Sequence, residues 1–194
     1  MNKELKELEK YALEKNIPIM QKETVTYIKK LIKTYNIENI LEIGTAIGYS
    51  AISFALVNEN IKITSVEKDQ ARFIQAVKNV KKFKLSDRIE LVFNNALEIS
   101  LNKKYDLIVI DAAKAKNTDL FQKFQTNLKK GGVIITDNIE FHGLVGKSKT
   151  IPGRNLRNLV RKIENYVDYL KYNKNYKTVF LSIGDGISVS KKRD

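Results

Sequence analysis

Leu41-Glu42-Ile43-Gly44-Thr45-Ala46-Ile47-Gly48-Tyr49-Ser50 carries an apolar run into two glycines and out again into a helical pattern. A buried strand passing through a tight turn into a helix reads this way, and the same change of texture recurs down the chain. Apolar runs at residues 40–43, 61–66, 89–93, 107–110 and 133–136 are separated by amphipathic stretches. The first stretch reaches about residue 58, a second carries Ala71, Ile74, Val77 and Val80, and a third lies near 119–128. Such alternation predicts a mostly parallel sheet with helices on both faces. The runs are continuous rather than alternating, as strands buried on both sides require. Two further runs, 178–183 and 187–190, meet through Gly184-Asp185-Gly186, a hairpin signal. The reading is an α/β fold: a seven-stranded sheet ending in an antiparallel hairpin.

Outside this core, two helices open the chain. Leu5, Leu8 and Ala12 share one 3.6-residue stripe; Val25, Ile28, Leu31 and Ile32 share another, over about 22–35. Pro18 breaks the chain between them, because proline disfavours helix in the residue before it. Residues 138–153 carry Gly143, Gly146 and Gly153 without periodicity and read as a loop. A helix over about 154–170 follows, with Leu156, Leu159, Val160, Ile163 and Val167 on one stripe. No repeat or linker interrupts the pattern, so residues 1–194 are expected to form one domain, with N-terminal helices at 1–36 and the core at 37–194.

Composition narrows the class. At 194 residues the chain is long enough to bury a full core without staples. Cysteine is absent, which excludes disulfide scaffolds, zinc ribbons and thiol catalysis. The longest uncharged stretch, 43–58, falls short of the roughly 20 apolar residues a membrane span needs. The first residues alternate charges and lack an apolar signal core, so a soluble, cytoplasmic protein with no membrane partner is expected. Net charge is +13, and residues 145–194 hold twelve Lys and Arg against four Asp and Glu. A one-sided basic excess suits a polyanion such as nucleic acid, although biased composition produces the same excess.

The glycine turn brings backbone close to a ligand at a helix start. Its spacing is G-x-x-x-G rather than G-x-G-x-x-G, which disfavours a nicotinamide dinucleotide and an oxidoreductase. Ser50 is placed either to bond a ligand carboxylate or to cap the helix. Glu67 ends the second strand 23 residues after Gly44, where an acid meets ribose hydroxyls. Asn95, after the third strand, is either an adenine contact or a turn residue.

The fourth strand runs into Asp111 and the fifth into Asp137 and Asn138. Ends of parallel strands share one edge, so two carboxylates and an amide make an all-oxygen set suited to Mg²⁺ or another such divalent ion, for example Mn²⁺. Lys114, three residues past Asp111, reads either as a base beside that cation or as one of many surface lysines. His142, the lone histidine, sits in a glycine-bounded loop and reads as a shaper of the pocket rather than a proton carrier. Arg154, Arg157 and Arg161 share one helix face, opposite the apolar stripe: a solvated surface or a phosphate-tracking one.

LEIGTAIGYSA, SVEKD, LIVIDAAKAK, TDNIEFHG and SIGDGISVS occur in one order and spacing over about residues 15–190. In this the chain resembles the catechol O-methyltransferase-like, metal-dependent S-adenosylmethionine methyltransferases. The resemblance implies a Rossmann-like class I methyltransferase fold and a homodimer. It assigns S-adenosyl-L-methionine contacts to Met20, Gly44, Ser50, Glu67, Asn95, Ala96 and Asp111. Mg²⁺ falls to Asp111, Asp137 and Asn138, and the general base to Lys114. Asn94-Asn95-Ala96 departs from the family's usual Gly-Asp-Ala. Within the family, the short chain and its IPIM segment are most similar to bacterial enzymes that methylate 5-hydroxyuridine in the tRNA anticodon. That implies tRNA as partner; the substrate contacts after His142 do not follow from the resemblance, and the Arg154, Arg157 and Arg161 face reads as a phosphate surface by its spacing alone. A small catechol or phenol as acceptor, or a non-catalytic RNA-binding module, are the competing readings.

Overall fold

The computed structural model describes residues 3–193; Met1, Asn2 and Asp194, the ends of the expected domain, lie outside the described residues. The chain packs as two compact units, Met1–Ser100 and Leu101–Asp194. Its strands form one seven-stranded sheet, as the sequence predicts, and by their sequence in the chain they lie in the order third, second, first, fourth, fifth, seventh, sixth.

In the first unit, α1 (Lys3–Glu14) buries Leu5, Leu8 and Ala12, and α2 (Lys22–Thr34) buries Val25, Ile28, Leu31 and Ile32. Both stripes are those read from the sequence. Strands β1 (Asn39–Ile43), β2 (Lys62–Glu67) and β3 (Ile89–Phe93) pair in parallel, Ile43 opposite Val66 and Glu67 opposite Phe93. Residues 40–43 and 63–67 are buried without interruption, so both faces of β1 and β2 are covered. The connecting helices are α3 (Tyr49–Ala55) and α4 (Gln70–Lys82). Helix α3 stops short of the expected residue 58 and is buried along its whole length, so no polar face marks its end.

Helix α4 corrects the sequence reading. Ile74 and Val77 are 47% and 43% exposed, and the buried face is Ala76, Asn79 and Val80. A polar contact sets this rotation: Asn79 Nδ2 donates to the Ile47 carbonyl at 2.8 Å, and hydrophobic periodicity cannot register such a bond.

In the second unit, β4 (Tyr105–Ile110) and β5 (Leu128–Asp137) are parallel, Ile110 opposite Thr136. Strand β7 (Ile187–Lys192) runs antiparallel to β5 and to β6 (Tyr176–Leu181). Helix α5 (Asn117–Phe124) ends earlier than expected, and β5 begins five residues sooner than its apolar run suggests. The early part of β5 carries Gly131 at φ 71° and Gly132, where a Cβ would sit 2.9 Å from Leu128 and 3.0 Å from the Asp106 carbonyl. Irregular pairing between Tyr105 and Leu107 lies beside it.

Helix α6 (Arg154–Tyr172) is also rotated from its expected stripe. It buries Val160, Ile163, Tyr166 and Leu170, while Leu156 is 41% exposed. The Tyr166 hydroxyl bonds Thr136 Oγ1 at 2.6 Å and its ring packs edge-on to Phe121, so an aromatic with a satisfied hydroxyl takes the place given to Val167. Among the described residues no helix is long and apolar enough to cross a membrane.

Candidate active site

The glycine turn of the first unit is a left-handed passage. Gly44, Ala46 and Gly48 have φ of 106°, 47° and 84°, and Gly48 is the residue before α3. Glycine relieves two of these positions of the cost that a Cβ carries there. The turn is tied to β2 by the Gly44 N–H on the Val66 carbonyl at 3.0 Å. Beneath it lies a polar chain: Ser65 Oγ donates to Glu42 Oε2 at 2.5 Å, and Thr45 Oγ1 lies 2.6 Å from Ser65 Oγ. Since the Ser65 proton is directed at Glu42, Thr45 is the donor in the second bond. Glu42 is fully buried, and sequence reading passed over it although an acid inside an apolar run was its signal.

Glu67 is buried at the end of β2, as expected, and its carboxylate is heavily used. Oε2 accepts the Ala46 N–H at 2.8 Å, and Oε1 accepts the Lys68 and Asp69 N–H groups, both at 2.9 Å. A carboxylate offers about four acceptor positions, so one position on Oε2 is left for a ligand hydroxyl. Ser50 is buried in the first turn of α3, and Met20 is buried within the same unit. Asn95 accepts the Leu97 N–H through Oδ1 and donates to Glu98 through Nδ2, which makes it a turn residue by its present contacts. Ala96 beside it is half-buried.

The second unit brings Asp111, Lys114 and Asp137 within electrostatic reach of one another. Asp111 follows the last residue of β4, and Asp137 is the last residue of β5. Burial pushes Asp137 well above the usual carboxylate range, and the charge of Asp111 adds to the push; the Asn138 N–H and Lys114 oppose it. Burial also raises Asp111, with Lys114 pulling the other way. Two carboxylates thus face one ammonium, and the site holds more negative charge than its own cation offsets. A divalent ion with oxygen ligands fits that imbalance, with Asn138 as the amide donor. Among the described residues no group of three or more His, Cys, Asp and Glu is arranged to hold a metal, so the set is two acids and an amide.

Asn138, Phe141 and His142 all adopt positive φ, at 60°, 44° and 55°. Runs of non-glycine residues in this region are sparse and gather at functional sites. Lys114 Nζ lies 5.8 Å from the centre of the Phe141 ring. Asp185, read from sequence only as a hairpin joint, is 7% exposed and raises Asp137 further through its charge. Its signal was weak, because an Asp between two glycines is ordinary turn chemistry.

Arg154, Arg157 and Arg161 are all exposed on α6, as expected. On the same helix, Glu164 accepts the Gly146 N–H at 2.8 Å, the Ser148 N–H at 3.1 Å and the Ser148 hydroxyl at 2.5 Å. Burial works to raise Glu164, but the Ser148 and Gly146 hydrogen bonds prevail and hold it below the usual range. The segment so fixed carries exposed Lys147 and Lys149.

Comparison with known proteins bears on all of this. A family model described as O-methyltransferase matches residues 1–193. A Staphylococcus aureus crystal structure, "a putative caffeoyl-CoA O-methyltransferase", is 36% identical with a TM-score of 0.94, covering 99% of this chain and 93% of that one. The Arabidopsis thaliana tapetum-specific methyltransferase 1 is 28% identical over 86% of this chain and 74% of its own. The Populus kitakamiensis caffeoyl-CoA O-methyltransferase is 27% identical over 86% of this chain and 74% of its own.

Proposed function

This chain belongs to the O-methyltransferase family, and we propose that it moves the methyl group of S-adenosylmethionine to the 5-hydroxyl of 5-hydroxyuridine at the tRNA wobble position, giving 5-methoxyuridine. The observation that carries the reading is the Asp111–Asp137 pair, with Lys114 as the cation that both acids feel. Asp111, Asp137 and Asn138 would hold a divalent ion, which supplies charge neutralisation for two neighbouring substrate oxygens, the 5-hydroxyl and O4. Lys114, once its ammonium has released a proton to solvent, takes the hydroxyl proton onto the neutral Nζ. The resulting oxyanion attacks the sulfonium methyl carbon in line; the new O–C bond forms as the C–S bond breaks, and S-adenosylhomocysteine leaves. Glu67 orients the ribose through its remaining acceptor position, and the Gly44–Gly48 turn lets the cofactor approach backbone. Rate then comes chiefly from positioning and charge placement.

The exposed Arg154, Arg157 and Arg161, with Lys147 and Lys149, support a polyanionic acceptor. The second reading, a small catechol or phenol, is favoured by the caffeoyl-CoA O-methyltransferases among the relatives. Both readings share the cofactor, the metal and a cytoplasmic homodimer. Nucleoside mass spectrometry of tRNA from cells with and without the gene separates them. Loss of 5-methoxyuridine in the deletion supports the tRNA reading; unchanged tRNA together with turnover of a free catechol replaces it.

A further inference from the structure

We infer that Asp185 is a positioning residue for methyl transfer: its carboxylate clasps the 138–142 segment and holds Asn138 and Phe141 in the conformations the reaction uses. The inference rests on the metal-supported reading above.

A hairpin turn has no need of a buried acid, and burying a carboxylate is costly unless it is well engaged. Asp185 is 7% exposed, between Gly184 and Gly186, both at positive φ. Its Oδ1 accepts the His142 N–H at 2.5 Å. Its Oδ2 lies 3.6 Å from His142 Nδ1, too long for a hydrogen bond, and this buried oxygen has no hydrogen-bond partner among the described residues. The backbone adds two bonds in the same direction: Ile139 N–H to the Gly186 carbonyl at 2.9 Å and Glu140 N–H to the Asp185 carbonyl at 3.0 Å. Ser182 Oγ donates to Glu140 Oε1 at 2.5 Å, and a Cβ at position 186 would collide with the Glu140 side chain. The β6–β7 turn and the 138–142 segment are therefore fitted to each other.

What the clasp holds is strained. Three of the five residues from 138 to 142 are non-glycines in the left-handed region, which persists only where surroundings fix it. At one end of this segment is Asn138; near the other, Phe141 lies under the Lys114 ammonium. The Asp185–His142 bond closes the segment between them. Releasing it lets the backbone relax to ordinary φ, turning Asn138 away from Asp137 and withdrawing Phe141 from Lys114.

Two variants test this, Asp185→Ala and Asp185→Asn, the second keeping an acceptor oxygen for the His142 N–H. Three readouts are taken: deuterium exchange of the 138–142 peptide without metal or substrate, Mn²⁺ affinity from the free-ion electron paramagnetic signal, and kcat. Asp185→Ala is expected to exchange faster in that peptide and to lose roughly 10- to 100-fold in Mn²⁺ affinity and kcat, with S-adenosylmethionine affinity unchanged. Asp185→Asn is expected to recover most of each loss. Wild-type exchange and Mn²⁺ binding in Asp185→Ala overturn the proposal. So does a tenfold Mn²⁺ defect in Asp185→Asn, which alone decides the matter if the alanine variant does not fold. Absence of any methyl transfer by the wild type would instead sink the proposed function, leaving the exchange result to judge the clasp.

Discussion

Ile110 of β4 is paired with Thr136 of β5, so the next residues of these parallel strands, Asp111 and Asp137, stand at the same level of the sheet's edge. Burial raises both carboxylates, the charge of Asp111 adds to the push on Asp137, and Lys114 pulls both the other way. The folded protein consequently holds protons on these groups more tightly than the unfolded chain does.

This has a consequence for stability. For acids with raised folded-state pKa values, the stabilisation is complete below about pH 4, the ordinary carboxylate value, and is lost as pH rises through the raised values toward neutrality. Metal-free protein is therefore expected to show a Tm that falls over this range. At neutral pH, saturating Mg²⁺ should raise Tm by binding the ionised pair. Asp137→Asn should flatten the pH dependence relative to wild type, lose the Mg²⁺ response and abolish methyl transfer. Scanning calorimetry with EDTA or Mg²⁺ across pH, with a methyl-transfer assay beside it, checks all three. A Tm indifferent to Mg²⁺ at every pH would return both acids to structural roles.

Much of this arrangement was legible in the sequence because parallel strands announce themselves as continuous apolar runs, and whatever follows such a run stands at the ligand edge. That logic placed Glu67 and Asp137 at the ends of their strands and Gly44 and Asp111 just past theirs, where the structure has them. It failed wherever a polar contact sets the packing. Asn79 turns α4 so that Ile74 and Val77 face outward, and the Tyr166 hydroxyl on Thr136 turns α6 away from Leu156. Asp185 and Glu42 escaped for a related reason. Their importance lies in burial and in partners 43 and 23 residues distant in sequence, His142 and Ser65, which no local pattern encodes.

Glu67 is expected to act on both fold and cofactor. Glu67→Ala strips an acceptor from the Ala46, Lys68 and Asp69 N–H groups as well as from a ribose hydroxyl. Losing the ligand bond should cost about 1–3 kcal/mol of S-adenosylmethionine affinity. Glu67→Gln keeps one carbonyl oxygen but introduces a donor where N–H groups already point, so it should also weaken binding. Titration calorimetry on the folded variants measures the change; unaltered affinity in both would remove Glu67 from the cofactor site.

The arginine face of α6 decides between the two acceptors. Arg154, Arg157 and Arg161 lie three and four residues apart, opposite the buried Val160, Ile163, Tyr166 and Leu170. Glu164, farther along the helix, spends its carboxylate on Gly146 and Ser148, which fixes the segment bearing Lys147 and Lys149. If this surface tracks phosphates, each arginine removed should flatten the salt dependence of tRNA binding by roughly 0.7–0.9 in log–log slope. Replacing the three arginines with glutamine should therefore weaken tRNA methylation strongly and lower the slope by about 2–3, while S-adenosylmethionine binding is spared. Glu164→Gln should have a smaller effect, because its amide oxygen can still accept the Gly146 and Ser148 N–H groups while the charge-assisted bond from the Ser148 hydroxyl is lost. The measurement is tRNA methylation and binding across a salt series, with a free catechol as parallel acceptor. A triple variant that methylates tRNA as wild type does makes this face a solvated surface only. A wild type that turns over the catechol and ignores tRNA assigns the enzyme to small phenols.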